Sequence, residues 1–292
     1  MCARIHHNLT AGNNVLAIEN LREADLAGSL SELQQTVRAE PSEARHRIFL
    51  FQLLTLTGDW ERAVTQLKVL GEMDPATLPM VQTYREALRC EVYRQEVFAG
   101  KRTPLVFGDP EMWVAKLVQA LSHGAQQHFS QAIDLRSEAF DEAPATAGSI
   151  NGTPFEWIAD ADPRLGPVLE MIVNGNYYWV PVHRVGQIEF EAPSDLRDFV
   201  WTPATVTWAN GGESVALMPT RYPNSHEDKY DDRIRLARMT DWEDLTEDYF
   251  VGLGQRLFTT DSGDHALLDT RKLILASAAV GEETAQDSPG DA

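Results

Sequence analysis

The densest run of groups able to do acid–base or metal chemistry lies between residues 227 and 248. Glu227-Asp228, Asp231-Asp232, Asp241, Glu243, Asp244, Glu247 and Asp248 crowd that stretch. Clustered carboxylates can hold Ca²⁺ or divide general acid and base work. Their spacing matches no calcium loop, however, and Lys229, Arg233, Arg235 and Arg238 are interleaved, so the stretch reads as a solvated charged segment. The histidines, His6, His7, His46, His123, His128, His183, His226 and His265, are scattered. None forms a His-x-x-x-His pair on an evident helix, and Cys2 with His6 and His7 offers only adventitious metal binding on a flexible terminus. Gly252-Leu-Gly254-Gln-Arg256 is half of a dinucleotide fingerprint without its third glycine, and reads as a turn or bulge. With no Gly-x-Ser-x-Gly elbow and no phosphate loop, the sequence assigns no catalytic residue, no cofactor and no metal.

Recognition chemistry is better represented. Trp157, Tyr177, Tyr178, Trp179, Trp201 and Trp208 either fill the core of a small β domain or line a groove. Arg221 and Tyr222, between Pro219 and Pro223, form a rigid loop that presents a hydrogen-bonding fork or buries an arginine against one of the many carboxylates. Candidate protein-binding residues are therefore Trp157, Tyr177, Tyr178, Trp179, Arg221 and Tyr222.

Composition narrows the partners. The 292 residues carry 25 basic and 44 acidic side chains, a net charge of −19, which repels a phosphate backbone and argues against nucleic acid. Two cysteines, Cys2 and Cys90, make no disulfide framework. No run approaches the roughly 20 apolar residues of a membrane helix, and Met1 to Thr10 lacks the apolar core of a signal peptide, so a cytoplasmic location is expected.

The elements that must position these groups change character mid-chain. Met1 to Ile150 has 14 basic and 19 acidic residues, and helical periodicity; Asn151 to Ala292 has 11 and 25, with short β-branched runs. The first half repeats. Gly58 to Pro75 lies over Ala24 to Pro41 without a gap at a 34-residue offset, the tetratricopeptide period. Asp25 matches Asp59, Leu26 matches Trp60, Ser29 matches Ala63, Leu33 matches Leu67 and Pro41 matches Pro75. The aspartates suit helix caps, the small residues a close helix approach, and the prolines a stop. A weaker copy carries Phe129, Ala132 and Ile133; Ser42, Pro79 and Asp109-Pro110 open further helices. About three helical hairpins result, and such arrays expose a concave face.

In the second half, Phe155 to Ile158 and Val168 to Val173 read as helical turns. Tyr177 to Val180, Val185 to Phe190, Thr205 to Ala209, Ser214 to Leu217 and Tyr249 to Leu253 read as strands, with a hairpin at Asn210-Gly211-Gly212. The expected fold is multidomain α+β: a tetratricopeptide-like α-α superhelix, then a smaller, mainly antiparallel, barrel-like β domain. The expected divisions are a flexible 1–14, a helical 15–145, an α+β 150–278 and an acidic disordered tail 279–292.

Several ordered blocks resemble the ImpE/SciE/TagJ accessory proteins of bacterial type VI secretion systems. They are Thr103 to Glu111, Pro154 to Glu170, Tyr177 to Pro181, Ala209 to Glu213, Pro219 to Pro223 and Val251 to Leu257, within a match from about Val15 to Leu275. The resemblance implies a cytoplasmic, non-enzymatic adaptor that binds the N-terminal helix of the small contractile-sheath subunit. It also implies a part in sheath handling alongside the AAA+ ATPase that recycles the sheath. Two competing readings come from the residues alone. One is a hydrolase or small-ligand protein with a site between the domains built from Glu156, Asp160, Asp162, His183 and Arg221; the other is an acidic decoy for a basic partner.

Overall fold

Asp25 and Asp59 do the same work 34 residues apart. In the computed structural model, which describes residues 15–276, the Asp25 carboxylate accepts the Gly28 amide at 2.7 Å and opens α2 (Leu26–Ala39). The Asp59 carboxylate accepts the Arg62 amide at 3.2 Å and opens α4 (Trp60–Met73). Each satisfies an amide with no partner inside its helix. Ser29 and Ala63, the matched small positions, are buried, and the Ser29 hydroxyl donates to the Ala17 carbonyl of α1 (Val15–Arg22) at 2.9 Å. Close approach of paired helices is what the small side chain permits. Between the copies lies α3 (Ala44–Leu56), and α5 (Leu78–Phe98) follows; α1 packs on α2 and α3 on α4. The weaker copy is α7 (Phe129–Glu142), paired with α6 (Met112–Ala125); Ala132 is buried there, but His128 gives no side-chain cap. The readings made for 1–14 and 279–292, including Cys2, His6 and His7, lie outside the described residues.

After Glu142 the chain turns to strands. The main sheet runs β1 (Leu105–Val106), β6 (Asn176–Pro181), β5 (Val168–Val173), β9 (Glu213–Pro219), β8 (Trp201–Trp208), β7 (Val185–Phe190), β14 (Lys272–Leu275), β2 (Gly148–Ile150), β3 (Thr153–Phe155). All neighbours are antiparallel except β1 with β6, and the order is open, with β1 and β3 at its ends. A second sheet joins β4 (Ile158–Asp160), β12 (Leu257–Thr260) and β13 (Gly263–Ala266), and β10 (Thr240–Thr246) pairs with β11 (Tyr249–Gly254). Gly211, at φ +83°, turns β8 into β9 as the Asn-Gly-Gly signal requires.

Two segments expected as helical turns are strands instead. Phe155 ends β3 and Ile158 starts β4, and Val168–Val173 is β5. The reason for the second is burial on both faces. All six β5 residues are buried, so the two-residue alternation that marks a strand is erased. The charged stretch is largely exposed, but it also forms a short helix α8 (Asp232–Arg235) and all of β10. The Gly252-Leu-Gly254 run, expected as a turn or bulge, is instead the paired end of β11; Gly254 closes the strand at φ +79°, where an added Cβ would meet the Met239 carbonyl oxygen at 2.1 Å.

Helices and sheet share a hydrophobic core. Phe51, Leu54 and Leu88 from the array pack in one cluster with Tyr177, Trp179, Val200 and Trp201. A second cluster, including Ile188, Val206, Phe258 and Leu273, lies within the β region. The helix that meets the first cluster most fully is α5, whose buried face holds Val81, Tyr84, Leu88 and Val97 together with two charged residues, Glu91 and Arg94.

Candidate functional site

Glu91 and Arg94 lie one turn apart on the inner face of α5, so both point at the sheet. A charge there must find a partner or carry a cost of several kcal/mol. Opposite stands Glu170, fully buried in the middle of β5. The Arg94 guanidinium donates to both Glu170 oxygens, Nε to Oε1 at 2.6 Å and Nη2 to Oε2 at 2.9 Å, and Nη1 donates to Glu91 Oε1 at 2.9 Å. Arg256, between β11 and β12, reaches in from the other side and bonds both Glu170 and Asp160. The Tyr177 hydroxyl donates to Glu170 at 2.5 Å, the Trp179 indole donates to that hydroxyl at 2.9 Å, and the Trp201 indole donates to Glu91 at 3.2 Å.

Electrostatics follow from this closure. Burial pushes Glu170 up, but the guanidinium groups of Arg94 and Arg256 outweigh it and hold the carboxyl at about 2. Burial lifts Asp160 to about 7 against the pull of Arg256. Arg221 joins the cluster by its backbone, whose carbonyl accepts Arg94 Nη2 at 2.9 Å. Its own guanidinium donates to the Leu56 carbonyl at 2.9 Å, to Thr55 at 3.2 Å and to the Arg235 carbonyl. Thr55 and Leu56 end α3, so Arg221 caps a helix C-terminus, where carbonyls lack partners and positive charge is favoured. Burial draws it down to about 10.

This arrangement reassigns most of the aromatic and arginine candidates. Tyr177, Trp179, Arg221 and Tyr222 are buried and bonded inward. Arg221 is neither the exposed fork nor the carboxylate partner expected from its loop, because the orphan carbonyls of α3 take its hydrogens. Tyr222 lies so close under β11 that a Cβ on Gly252 would meet its ring at 2.5 Å, and its hydroxyl accepts the Leu257 amide at 3.0 Å. Tyr178 is half-buried against Phe107, and Trp157 is 41% exposed between β3 and β4.

Of the inter-domain set only Asp160 and Asp162 lie together, the Asp162 amide donating to Asp160 Oδ1 at 2.8 Å. Asp160 is bound by Arg256; Asp162 accepts Arg164 Nε at 2.9 Å and the Gly252 amide at 3.0 Å. His183 pairs with Glu111 at 3.1 Å, and burial holds its imidazole below the ordinary value against that carboxylate. Glu156 is exposed. None of these, nor Arg221, lines the clefts of about 810, 560 and 450 Å³ that flank α5.

The largest of those clefts has the features of a recognition site. It lies between α4, which contributes Trp60, Glu61 and Val64, and α5, whose outer face contributes Leu78, Arg85 and Val92 and whose Val81 and Leu88 form the floor. Val64, Leu78 and Val92 are 41%, 50% and 45% exposed, and all three line this one cleft. Across Arg89 and Val92 it adjoins the second cleft, which extends to Leu105 and Tyr177 at the β1 edge of the sheet. Sequence reading missed this face because the exposed and buried apolar residues of α5 merge into one stripe. The seven-residue spacing of Leu78, Arg85 and Val92 was the available signal. For the ion cluster, the signal was Glu170 alone within an apolar run.

Known proteins match most of the chain. A family model described as ImpE protein matches residues 152–274, from β3 to β14. The type VI secretion system accessory component TagJ of Pseudomonas aeruginosa is 52% identical over 270 residues, spanning 92% of this chain and 94% of that protein, helices included. The crystal structure of protein VPA1032 from Vibrio parahaemolyticus matches with a TM-score of 0.83 at 26% identity, over 90% of this chain and 98% of that one.

Proposed function

This chain belongs to the ImpE family, which includes the type VI secretion accessory component TagJ, and from that premise we propose that it is a non-enzymatic adaptor of a type VI secretion system. It binds the N-terminal amphipathic helix of the small contractile-sheath subunit in the cytoplasm and assists sheath handling or recycling by the AAA+ ATPase. The observation that carries the reading is the apolar cleft between α4 and α5. A groove walled by two helices and floored by Val81 and Leu88 suits the helix-in-groove mode, in which apolar residues at i, i+3, i+4 and i+7 of a ligand helix lie along the groove. The likeness to TagJ supports the accessory role. Among the described residues no helix is long and apolar enough to cross a membrane.

Calorimetric titration with a peptide covering the first helix of the small sheath subunit of its own system tests the proposal. Saturable binding that persists at high salt is expected, since burial of apolar surface is little screened. Failure of both the peptide and the intact subunit to bind would refute it.

A further inference from the structure

Apolar capture alone leaves one feature of the cleft unused. Leu78, Arg85 and Val92 recur every seven residues, two turns apart, and so form a single line along the outer face of α5. Leu78 and Val92 are about half exposed, and Arg85 is exposed between them. Among the described residues its guanidinium has no hydrogen bond and no ion pair. Neighbouring Arg89, by contrast, donates to the Gly175 carbonyl at 2.8 Å and is tied to the β5–β6 turn. Across the cleft, Glu61 on α4 lines the wall without pairing to Arg85. Glu86 also lines the cleft, but its carboxylate lies against Gly175 of the β5–β6 turn, so the unpaired arginine framed by two uncovered apolar side chains is the group a covering carboxylate can meet.

We infer that the α4–α5 cleft takes an amphipathic helix of about four turns that sets one carboxylate against Arg85, with an apolar anchor on each side over Leu78 and Val92. The length follows from the 14 residues between Leu78 and Val92, about 21 Å of helix. The inference rests on the proposed adaptor function and adds the place, the length and the charge pattern of the ligand. Apolar contacts supply the affinity, and the Arg85 pair fixes which way the ligand helix is rotated and how far it slides. Flanking apolar side chains exclude water from the pair once the helix is seated, so the pair discriminates more than an exposed surface pair would.

The test uses the full chain and the sheath-subunit helix peptide, with a set of peptides in which each Asp or Glu is replaced singly by Lys. Arg85→Glu is expected to weaken binding of the unmodified peptide by about tenfold or more, with circular dichroism unchanged because the position is exposed. One Lys-substituted peptide, and not the others, restores affinity toward Arg85→Glu. Leu78→Asp and Val92→Asp abolish binding. Unchanged affinity for Arg85→Glu, or equal behaviour of all the Lys peptides, overturns the charge pairing. Normal binding by Leu78→Asp and Val92→Asp overturns the cleft as the site while leaving the adaptor reading intact. Absence of binding by the unmodified chain overturns both.

Discussion

Two faces of one helix set the logic of this protein. The inner face of α5 buries Glu91 and Arg94 in a network where each guanidinium meets carboxylates, and two indoles and a phenol supply the remaining hydrogens. The outer face leaves Leu78 and Val92 half uncovered and Arg85 without an ion pair among the described residues. Charge is hidden where stability is made, and apolar surface is shown beside the cleft proposed for the partner. A buried, fully satisfied carboxylate such as Glu170 is a poor acid or base, because its two guanidinium partners keep it ionised well below neutral pH. Half-exposed apolar side chains on a helix with a core behind it contribute less to folding than buried ones and leave apolar surface available for recognition.

The contrast can be broken most severely from the inner side. Glu170→Ala leaves Arg94 and Arg256 buried without their shared carboxylate and is expected to cost about 3–5 kcal/mol, read from the urea midpoint. A loss below about 1 kcal/mol would mean that the network is not the joint between array and sheet.

The pH profile sharpens the same point with two opposite slopes. Glu170 titrates lower in the folded chain than when unfolded, so it binds fewer protons in the native state. Its contribution is present above the unfolded carboxylate range and is lost as pH falls toward about 2. Asp160 titrates higher when folded, so its contribution is full below about 4 and declines as pH rises to about 7. Stability measured from pH 4 to 7 should therefore fall, by roughly 1–3 kcal/mol, and Asp160→Asn should flatten that slope. A profile that is the same with and without the Asp160 carboxyl would contradict this assignment.

Smaller effects belong to the helix starts. Asp25→Ala and Asp59→Ala should each cost about 1 kcal/mol in thermal or urea unfolding, because each leaves a helix amide unsatisfied. His128→Ala, at the matching start of α7, should cost little, since His128 provides no cap. The smallest changes are expected on the outer face of α5. Leu78→Asp and Val92→Asp should alter stability by no more than about 0.5 kcal/mol while removing ligand binding. Large destabilisation by either would fold the outer face into the core and erase the comparison.

What could be read in advance follows the range of the interaction. Asp25 and Asp59 were legible because a cap is made within three residues, and the 34-residue offset repeats it. The β8–β9 hairpin was legible because Asn210-Gly211-Gly212 meets a local backbone demand. β5 was misread because both of its faces are covered, which leaves a strand and a buried helical turn looking alike. For Arg221 and the Tyr177–Trp179 pair the sequence leaves core and contact surface both open, because nothing local places them under α3 and α5. Their partners lie far off in sequence, as with Arg221 and Leu56. The cleft was invisible for the same reason, since its two walls are recognisable only once α4 and α5 are laid side by side.

Hydrogen exchange of the full chain, alone and with the small sheath subunit, tests the central claim most directly. The account predicts new protection confined to α4 near residues 60–64 and α5 across 78–92, with the buried β5 unchanged. Protection centred on Trp157, on the β10–β11 hairpin or anywhere else, with α4 and α5 unaltered, would contradict it.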